Sequence, residues 1–409
     1  MVLTENQEQV VQEGVQWFRN SSKQIFEISG AAGTGKSVVL HEIVKRLGLH
    51  DYDILPIAFT GQAAIVMRMK GFSTARTLHS TFFHAVRERV DDPSDPFKRI
   101  NTQLNKPRYR LAFKPVPVGV YRDKKLIVID EAYMVPENLK NVIMKHGIKI
   151  LAAGDVHQLP PVGGNPAFFT GSGIHFLTQI MRQESDNPII YLANRAREGL
   201  PIHCGSYGKN AIVIEDTDLT PEMLANFGIV ICGTNRTRDI FNNTVREYMG
   251  LNGMPYPQYG ERIICRQNNW NTDVDGISLA NGLAGVVASP YSISSFSRDN
   301  KTFYIDFLPD LTNMPFTHVD VNCEYITSPY THRQEIKKIK ESEFANRVKG
   351  ELFEYAYALT THLSQGGEYP AGIYFEEFLR ADEQNQLNYT GITRFKKYLV
   401  YVKKTRKYF

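Results

Sequence analysis

The chain has 409 residues, which is enough for two to four domains of ordinary size. It is 42% hydrophobic and 22% charged, and it lacks repeats, low-complexity tracts and long apolar runs, which argues against disordered, solenoid and membrane-spanning proteins. The net charge of +4 alone does not indicate nucleic acid, but residues 86–118 carry eight Lys and Arg against four acids, and residues 394–409 carry seven and no acid. Such stretches can follow a phosphate backbone or simply face solvent.

The start of the chain, MVLTENQEQVVQEGVQ, is acidic and amphipathic, without the basic start and apolar run of a signal peptide. A cytoplasmic location is therefore expected. The cysteines Cys204, Cys232, Cys265 and Cys323 are too far apart in sequence for a zinc or redox motif. The last three stand in apolar, strand-like segments, which predicts reduced thiols in the core.

Residues 30–37 (GAAGTGKS) fit the phosphate-binding pattern GxxxxGK[ST]. Residues 23–29 alternate like a strand and residues 36–48 have apolar positions at helical spacing, so backbone N–H groups and the positive end of a helix dipole converge on one point. We expect Lys36 to reach the β- and γ-phosphates of ATP and Ser37 to hold Mg²⁺. The other nucleotide-binding residues of this loop are Gly30, Ala31, Gly33, Thr34 and Gly35.

Two further segments read as strands that end in polar residues. LIVI is a buried-strand run, with Asp130 and Glu131 at its C-terminal end, where open α/β sheets bind ligands. Asp130 is expected to order Mg²⁺, and Glu131 to align the attacking water or take its proton. Residues 149–162 (KILAAGDVHQLPPV) predict another strand, which ends in Asp155, with Gln158 just beyond; this amide can hold the γ-phosphate or a water.

In this order, the three segments resemble motifs I, II and III of superfamily-one helicases of the RecD/Dda type, and the likeness covers most of the chain. The other segments that resemble family motifs are LTENQEQVV (3–11), FTGQAA (59–64), TLHSTF (77–82), LTQIMRQ (177–183), YALTTHLSQGGEY (357–369) and NYTGITRFKKYLVYV (388–402). Two positions depart from the family pattern. Leu363 stands where the family has Lys, which removes a charge suited to phosphate, and Gly391 interrupts a helix in which Gly costs about 1 kcal/mol relative to Ala.

The resemblance implies an α/β chain of two RecA-like parallel-sheet P-loop NTPase domains, each with a small β-rich insertion, and ATP in the cleft between them. The catalytic residues implied are Lys36, Glu131, Gln158, Arg182 and Arg394. Gln7 would read adenine, Arg182 and Arg394 would contact the γ-phosphate, and Glu368 would join the nucleotide site. The residues expected to touch DNA are Thr60, His79, Thr361 and His362.

The same resemblance divides the chain. The parts implied are a first motor domain with the ATP site (1–84 and 120–171), an inserted pin (85–119), a second motor domain (172–259 and 351–409), and a Src-homology-like small β-barrel followed by a basic helix (260–350). The segments RIICRQN, LAGVVASPYSI, KTFYIDFLP and HVDVNCEYI read as the barrel strands. Phe97, Tyr109 and Phe113 are candidates for a wedge that splits the duplex, and each could equally well belong to a small apolar core within the insertion.

The activity implied is that of a DNA helicase, which hydrolyses ATP, translocates on single-stranded DNA from 5′ to 3′ and unwinds duplex in replication, recombination or repair. The implied partners are single strands and single-strand/duplex junctions, with a single-strand-binding protein or replisome component; a monomer is expected. The compact build is similar to bacteriophage-encoded members, for which the location is the host cytoplasm.

Three alternatives stay open. The chain could be a DNA-stimulated ATPase or translocase subunit that works only within a complex. It could be another P-loop enzyme such as a kinase or GTPase, although it contains no NKxD tetrapeptide for guanine. It could also be a nucleic-acid-binding protein with a decayed ATP site, although every catalytic residue type is present.

Overall fold

The computed structural model describes residues 2–89, 109–161, 164–179, 187–289, 296–327, 349–378 and 383–405. The first part of the chain alternates helices and strands. Its elements are α1 Glu5–Asn20, β1 Ile25–Gly30, α2 Lys36–Arg46, β2 Ile54–Ala58, α3 Gly61–Met69, β3 Arg76–Thr77, α4 Leu78–Phe82, β4 Phe83–Arg89, β5 Tyr109–Pro115, β6 Leu126–Ile129, α5 Glu137–Met144, β7 Lys149–Gly154 and β8 Ile174–Leu177.

The first domain is built on a parallel sheet with strand order β3-β2-β6-β7-β1-β8. Helices cover both faces of such a sheet, so its strands read as continuous apolar runs, and all four residues of β6 are buried. Strands β6, β7 and β1 are neighbours, so the segments after their C-terminal ends meet at one edge. The phosphate loop, the segment of Asp130 and Glu131, and the segment of Asp155 and Gln158 therefore lie at the same edge of the sheet.

The rest of the chain alternates in the same way, interrupted by a run of short strands. Its elements are α6 Pro188–Arg197, β9 Gly205–Tyr207, β10 Ala211–Glu215, α7 Pro221–Asn226, β11 Ile229–Cys232, α8 Asn235–Tyr248, β12 Arg262–Cys265, β13 Asn269–Val274, β14 Ile277–Leu279, β15 Ala284–Val287, β16 Thr302–Pro309, β17 Phe316–Asn322, α9 Cys323–Thr327, β18 Phe353–Tyr355, β19 Ala358–Thr360, β20 Tyr369–Phe375, α10 Gln384–Ile392 and β21 Phe395–Lys403.

The second domain has the sheet order β19-β11-β20-β21-β10-β9, in which only β9 is antiparallel to its neighbour. The α/β class and the two RecA-like parallel sheets predicted from the sequence are confirmed. The inserted strands form an antiparallel sheet in the order β17-β16-β15-β12-β18. Backbone hydrogen bonds of Glu351 with Asp320 and Asn322 join its two edges, so the sheet curls into a small barrel.

A hairpin of the insertion also reaches the first domain. Strands β13 and β14 are joined through Asp275 and Gly276, both with left-handed backbone, as a tight hairpin turn requires. Arg68 at the end of α3 donates to the Asp275 carbonyl at 2.5 Å and lies 3.5 Å from its carboxylate. The barrel is thus attached to the first domain as well as to the second.

Three sequence-based assignments need correction. Strand β8 lies beyond the predicted boundary at residue 172 but pairs with β1 in the first sheet. Strand β18 lies beyond the boundary at 351 but pairs with β12 in the barrel. The segment HVDVNCEYI was read wholly as a strand, but its end forms the short helix α9. Each error arises because pairing with a distant strand, or the turn that follows, decides the state of a short apolar run.

The region of the predicted pin begins with an antiparallel ribbon, in which β4 pairs with β5 from Phe83 opposite Pro115 to Arg89 opposite Tyr109. Phe113 is 44% exposed on this ribbon. Phe97 and the predicted basic helix at 332–350, except for its last two residues, lie outside the described residues. The wedge role of the ribbon stays a prediction.

The cysteine prediction is confirmed, because Cys232, Cys265 and Cys323 are buried free thiols, whereas Cys204 is exposed.

Within the described ranges, no helix combines the length and apolarity that a bilayer span requires.

Gly391 is required by packing rather than merely tolerated. It lies in α10, where an added Cβ would overlap the ring of Tyr374, which is itself fully buried. We expect Gly391→Ala to lower the free energy of unfolding by about 1–3 kcal/mol, although Ala is the better helix former, because overpacking outweighs propensity. Urea unfolding measures this change. Gly253→Ala is the matched control, since a Cβ there meets nothing within 4 Å, and an equal loss in both variants would refute the packing explanation.

Candidate nucleotide-binding site

The phosphate loop has the predicted geometry. It connects β1 to α2, and Gly33 and Gly35 have φ values of 82° and 79°, which only glycine adopts without strain. The helix therefore begins with free backbone N–H groups directed into the loop. The Lys36 ammonium donates to the carbonyls of Gly30 (2.8 Å) and Ala31 (3.2 Å), so it lies within the loop where phosphate groups would bind.

Gln7 lies beside the phosphate loop, and its amide is engaged with backbone. Its Nε2 donates to the Thr34 carbonyl at 2.9 Å, and its Oε1 accepts the N–H of Thr4 at 3.0 Å as part of a capping box at the start of α1. The side chain is 1% exposed. Gln7 therefore ties α1 to the loop, and an adenine-reading role would require one of these bonds to be exchanged.

Ser37 and Asp130 form the corner predicted for a cation. Ser37 Oγ lies 3.4 Å from Asp130 Oδ2, and the N–H of Glu131 donates to the other carboxylate oxygen at 3.0 Å. Burial raises the pKa of Asp130, and the charges of Lys70 and Lys36 oppose this shift. No cluster of three or more His, Cys, Asp or Glu side chains suited to a metal occurs among the described residues. One carboxylate and one hydroxyl nevertheless fit Mg²⁺, which takes its other ligands from phosphates and water.

The second domain contributes Arg394 to this site. The side chain is 4% exposed, and its Nη1 lies 3.7 Å from Glu131 Oε1 across the cleft. Its other contacts hold it in place within its own domain, since it donates to the carbonyls of Thr390 (3.1 Å) and Gly367 (3.4 Å). Glu131 has a left-handed backbone (φ 52°), a strain that is typical of functional sites. Arg182, the other arginine predicted for this site, lies outside the described residues.

A lysine that the sequence analysis missed joins the acidic side of the cleft. Lys70, at the end of α3, forms an ion pair of 2.8 Å with Glu368 of the second domain. Burial lowers the pKa of Lys70, but the carboxylates of Asp130 and Glu368 outweigh this and raise it. Burial likewise raises the pKa of Glu368, but Lys396 and Lys70 lower it to about 2. Glu368 is therefore ionised and placed beside the predicted site, whereas no motif pointed to Lys70.

The segment after β7 is held by the second domain. Asp155 is fully buried and accepts the N–H of His157 at 3.0 Å, while Gln158 is 4% exposed beside it. The next residue, Leu159, donates its N–H to Thr390 Oγ1 (2.9 Å), and its carbonyl accepts from Gln365 Nε2 (2.9 Å). Gln158 thus adjoins a residue that the second domain holds, and its role toward the γ-phosphate stays a prediction.

Three of the four residues predicted to touch DNA, namely Thr60, His79 and His362, are partly exposed. Thr60 caps α3 and packs against Gly366 of the second domain. The ring centroid of His79 lies 6.0 Å from that of Phe59 and 5.7 Å from that of Phe83. Burial lowers the pKa of His79 and of His362, so both imidazoles are neutral at pH 7.

The structure contradicts the prediction for Thr361. This residue is fully buried, and both its N–H and its hydroxyl donate to the carbonyl of Cys232, at 2.8 and 3.2 Å. It fixes the turn after β19 instead of facing DNA. Leu363, the departure from the family's lysine, packs against the second-domain core, so an apolar side chain suits its position.

The fold and the site together define a P-loop NTPase of two RecA-like domains, because one parallel sheet carries the phosphate loop and the second presents Arg394 and Glu368 to it. The chain belongs to the AAA_30 family, an AAA domain, whose model matches residues 2–217.

Among curated proteins, the chain is similar to the ATP-dependent DNA helicase RRM3 of Saccharomyces cerevisiae, with 30% identity over 226 residues, which are 49% of this chain and 28% of that protein. It is also similar to the ATP-dependent DNA helicase Pif1 of Psychrobacter sp., with 28% identity over 155 residues, 35% of this chain and 20% of that protein. The chain thus spans less than a third of the length of these relatives.

Two solved structures share the fold. One shows DNA unwinding at forked duplex by two coordinating Pif1 helicases (TM-score 0.55, 17% identity, 98% of this chain and 92% of that one). The other is Bacteroides Pif1 with ADP-AlF3 and single-stranded DNA (TM-score 0.54, 16% identity, the same coverages). With the family match, these findings confirm the resemblance to superfamily-one helicases of the RecD/Dda type.

Proposed function

We propose that this chain is an ATP-dependent DNA helicase, which translocates on single-stranded DNA from 5′ to 3′ and unwinds duplex in replication, recombination or repair. The observation that carries the proposal is the approach of Arg394 to within 3.7 Å of Glu131 on the other domain. A triphosphate on the phosphate loop would lie between groups of both domains. The names of the RRM3 and Pif1 relatives support helicase activity, and the direction rests on the family resemblance alone.

In this proposal the first domain binds ATP and the second domain completes the catalytic site. Backbone N–H groups of the phosphate loop and Lys36 hold the phosphates, Glu131 aligns the attacking water, and Arg394 stabilises the charge that develops on the transferred phosphoryl group. Ser37 and Asp130 would hold Mg²⁺, which neutralises phosphate charge when bound. Gln158 would sense the γ-phosphate because it lies in the segment clamped by Thr390 and Gln365.

Movement of the two domains would follow from changes in the electrostatic attraction across the cleft. The negative charge of the γ-phosphate attracts groups of the second domain, and phosphate release removes this attraction, so the cleft opens. The pair of Lys70 and Glu368 also lies across this cleft and adds a charge attraction that favours its closed form. Each cycle of ATP hydrolysis would therefore change the distance between two DNA-contacting surfaces.

We infer that DNA would contact the partly exposed side chains of Thr60, His79 and His362. Neutral imidazoles and a hydroxyl suit phosphate, sugar and stacking contacts, which carry little sequence information. The flanking rings of Phe59 and Phe83 extend the aromatic surface at His79. Binding that tolerates any sequence is what a translocating enzyme needs.

The remaining expectations belong to the same proposal. We propose that the chain acts as a monomer in the cytoplasm, which would be the host's if a bacteriophage encodes it. A single-strand-binding protein or replisome component would meet it at single-strand/duplex junctions.

Single-stranded DNA is expected to raise ATP turnover by about tenfold or more, because a strand that bridges both domains stabilises the closed cleft. Steady-state phosphate release with saturating oligo-dT, at one fixed salt concentration, measures this. Lys36→Ala is the control that removes turnover from the phosphate loop itself. The proposal fails if saturating oligonucleotide leaves the wild-type rate unchanged.

A further inference from the structure

A tyrosine of the second domain reaches into the phosphate loop of the first. Tyr389 lies in α10 and is fully buried. Its hydroxyl accepts the N–H of Ala32 at 2.8 Å and donates to Asp155 Oδ2 at 2.5 Å. One atom of the second domain thus joins the two segments of the first domain that follow β1 and β7.

The direction of both hydrogen bonds is fixed by chemistry. A backbone N–H can only donate, so the hydroxyl oxygen must accept from Ala32 and its single proton is free for Asp155. Burial and the nearby Asp155 carboxylate raise the pKa of the Tyr389 hydroxyl, so it keeps that proton at any physiological pH. A bond from a hydroxyl to a carboxylate is among the stronger hydrogen bonds in proteins.

Further contacts between the two domains surround the Tyr389 hydroxyl. Ala32 packs against the second-domain core that contains Tyr389. The next residue of α10, Thr390, accepts the N–H of Leu159, which lies in the same loop as Asp155. Arg394 follows the end of α10 by two residues, so the helix that carries Tyr389 also places the arginine at Glu131.

We propose that Tyr389 is a positioning residue for ATP turnover. Its hydroxyl binds the phosphate loop and Asp155 together to α10, and Arg394 reaches Glu131 productively only while both bonds are made. The inference rests on the proposed function for the reaction that it assists, but the domain contact itself can be tested without DNA unwinding. Tyr389, which belongs to the second domain, would thereby respond to the position of the phosphate loop in the first domain.

Tyr389→Phe tests the proposal because it keeps the ring and removes one oxygen. Tyr374→Phe is the matched control, since that buried hydroxyl donates to Asn388 within the second domain. We expect Tyr389→Phe to lower kcat for ATP by about 10- to 100-fold, because it removes the hydrogen bond to the charged Asp155 together with the one from the Ala32 N–H, with KM changed by about threefold at most. Tyr374→Phe is expected to keep wild-type kcat.

Domain closure supplies a readout that does not depend on turnover. Cys204 is the exposed native thiol, the other cysteines are buried, and Lys45 on α2 has a side chain that is 78% exposed. Dyes on Cys204 and on a Lys45→Cys variant report the distance between the domains with ADP-AlF3 bound. We expect Tyr389→Phe to show a larger open population than wild type, and Tyr374→Phe to match wild type.

The proposal is overturned if Tyr389→Phe matches Tyr374→Phe in both kcat and dye distance. Should the wild type show no stimulation by DNA while Tyr389→Phe still opens the cleft, the proposed function fails and the positioning role stands. If Tyr389→Phe does not fold, Asp155→Asn replaces it, because a neutral amide cannot make the charge-assisted hydrogen bond that the carboxylate makes with the Tyr389 hydroxyl. It is then expected to open the cleft in the same direction, and an unchanged distance contradicts the proposal.

Discussion

Arg394→Lys is expected to lower ATP turnover by about 10³-fold or more, while single-stranded DNA binding stays within about threefold of wild type. Lysine keeps the positive charge but lacks the planar guanidinium group. In the wild type, this group donates to the carbonyls of Thr390 and Gly367 and also lies near the carboxylate of Glu131. The variant therefore loses stabilisation of the transition state, in which an arginine from the opposing domain stabilises the charge that develops. Single-turnover phosphate release measures it, and fluorescence anisotropy of labelled oligo-dT measures DNA binding.

Arg246→Lys is the matched control, because Arg246 is also a buried arginine of the second domain but pairs with Glu261 at the start of the inserted barrel. It is expected to lower the melting temperature and to leave turnover per folded molecule unchanged. Equal losses of turnover in the two variants would show that buried-arginine packing, not the approach to the nucleotide site, explains the effect at Arg394.

Glu131→Gln is expected to lower turnover by about 10²- to 10⁴-fold while nucleotide still binds. Glutamine keeps the size of the side chain but cannot accept a proton from the attacking water. The strained backbone at this position gains no new strain from an amide in place of a carboxylate. Turnover is measured as phosphate release, and binding as the fluorescence change of a labelled ADP.

Glu137→Gln serves as its control, since Glu137 is an exposed carboxylate in the first turn of α5, close in sequence but outside the site. A rate for Glu131→Gln within about threefold of that control would mean that Glu131 does not act on the water, and the base would have to be sought elsewhere.

The local parts of the site could be predicted from the sequence because each depends on only a few consecutive residues. A strand, a glycine-rich turn and a helix specify the phosphate loop, and an apolar strand followed by an acid specifies Asp130 and Asp155. These patterns do not need knowledge of the rest of the chain. The two parallel sheets follow from the same alternation of strands and helices.

The residues that complete the site across the cleft were harder to predict. Lys70 meets Glu368, 298 positions away, and Tyr389 meets Ala32, 357 positions away. Neither partner carries a local signal for the other, since a lysine at a helix end and a tyrosine in an apolar helix are common in any fold. Arg394 was found only because a family motif marked it.

Side-chain direction was the other source of error. Thr361 stands in a motif that also contains Gln365 and Glu368, which contact the first domain, but its own hydroxyl turns back to the Cys232 carbonyl. A motif gives the position of a residue along the chain, whereas burial depends on how the turn is packed. Gly391 shows the converse, because a residue that looks unfavourable in an isolated helix is the one that leaves room for Tyr374.

The most direct test of the central claim, that ATP cleaved between two domains of one chain drives strand separation, is strand displacement by the purified chain alone. Duplexes with a 5′ or a 3′ single-stranded tail are compared in the presence of ATP. The account predicts displacement of the 5′-tailed substrate that is lost in Arg394→Lys. Failure to displace either substrate, with ATP turnover intact, would contradict it.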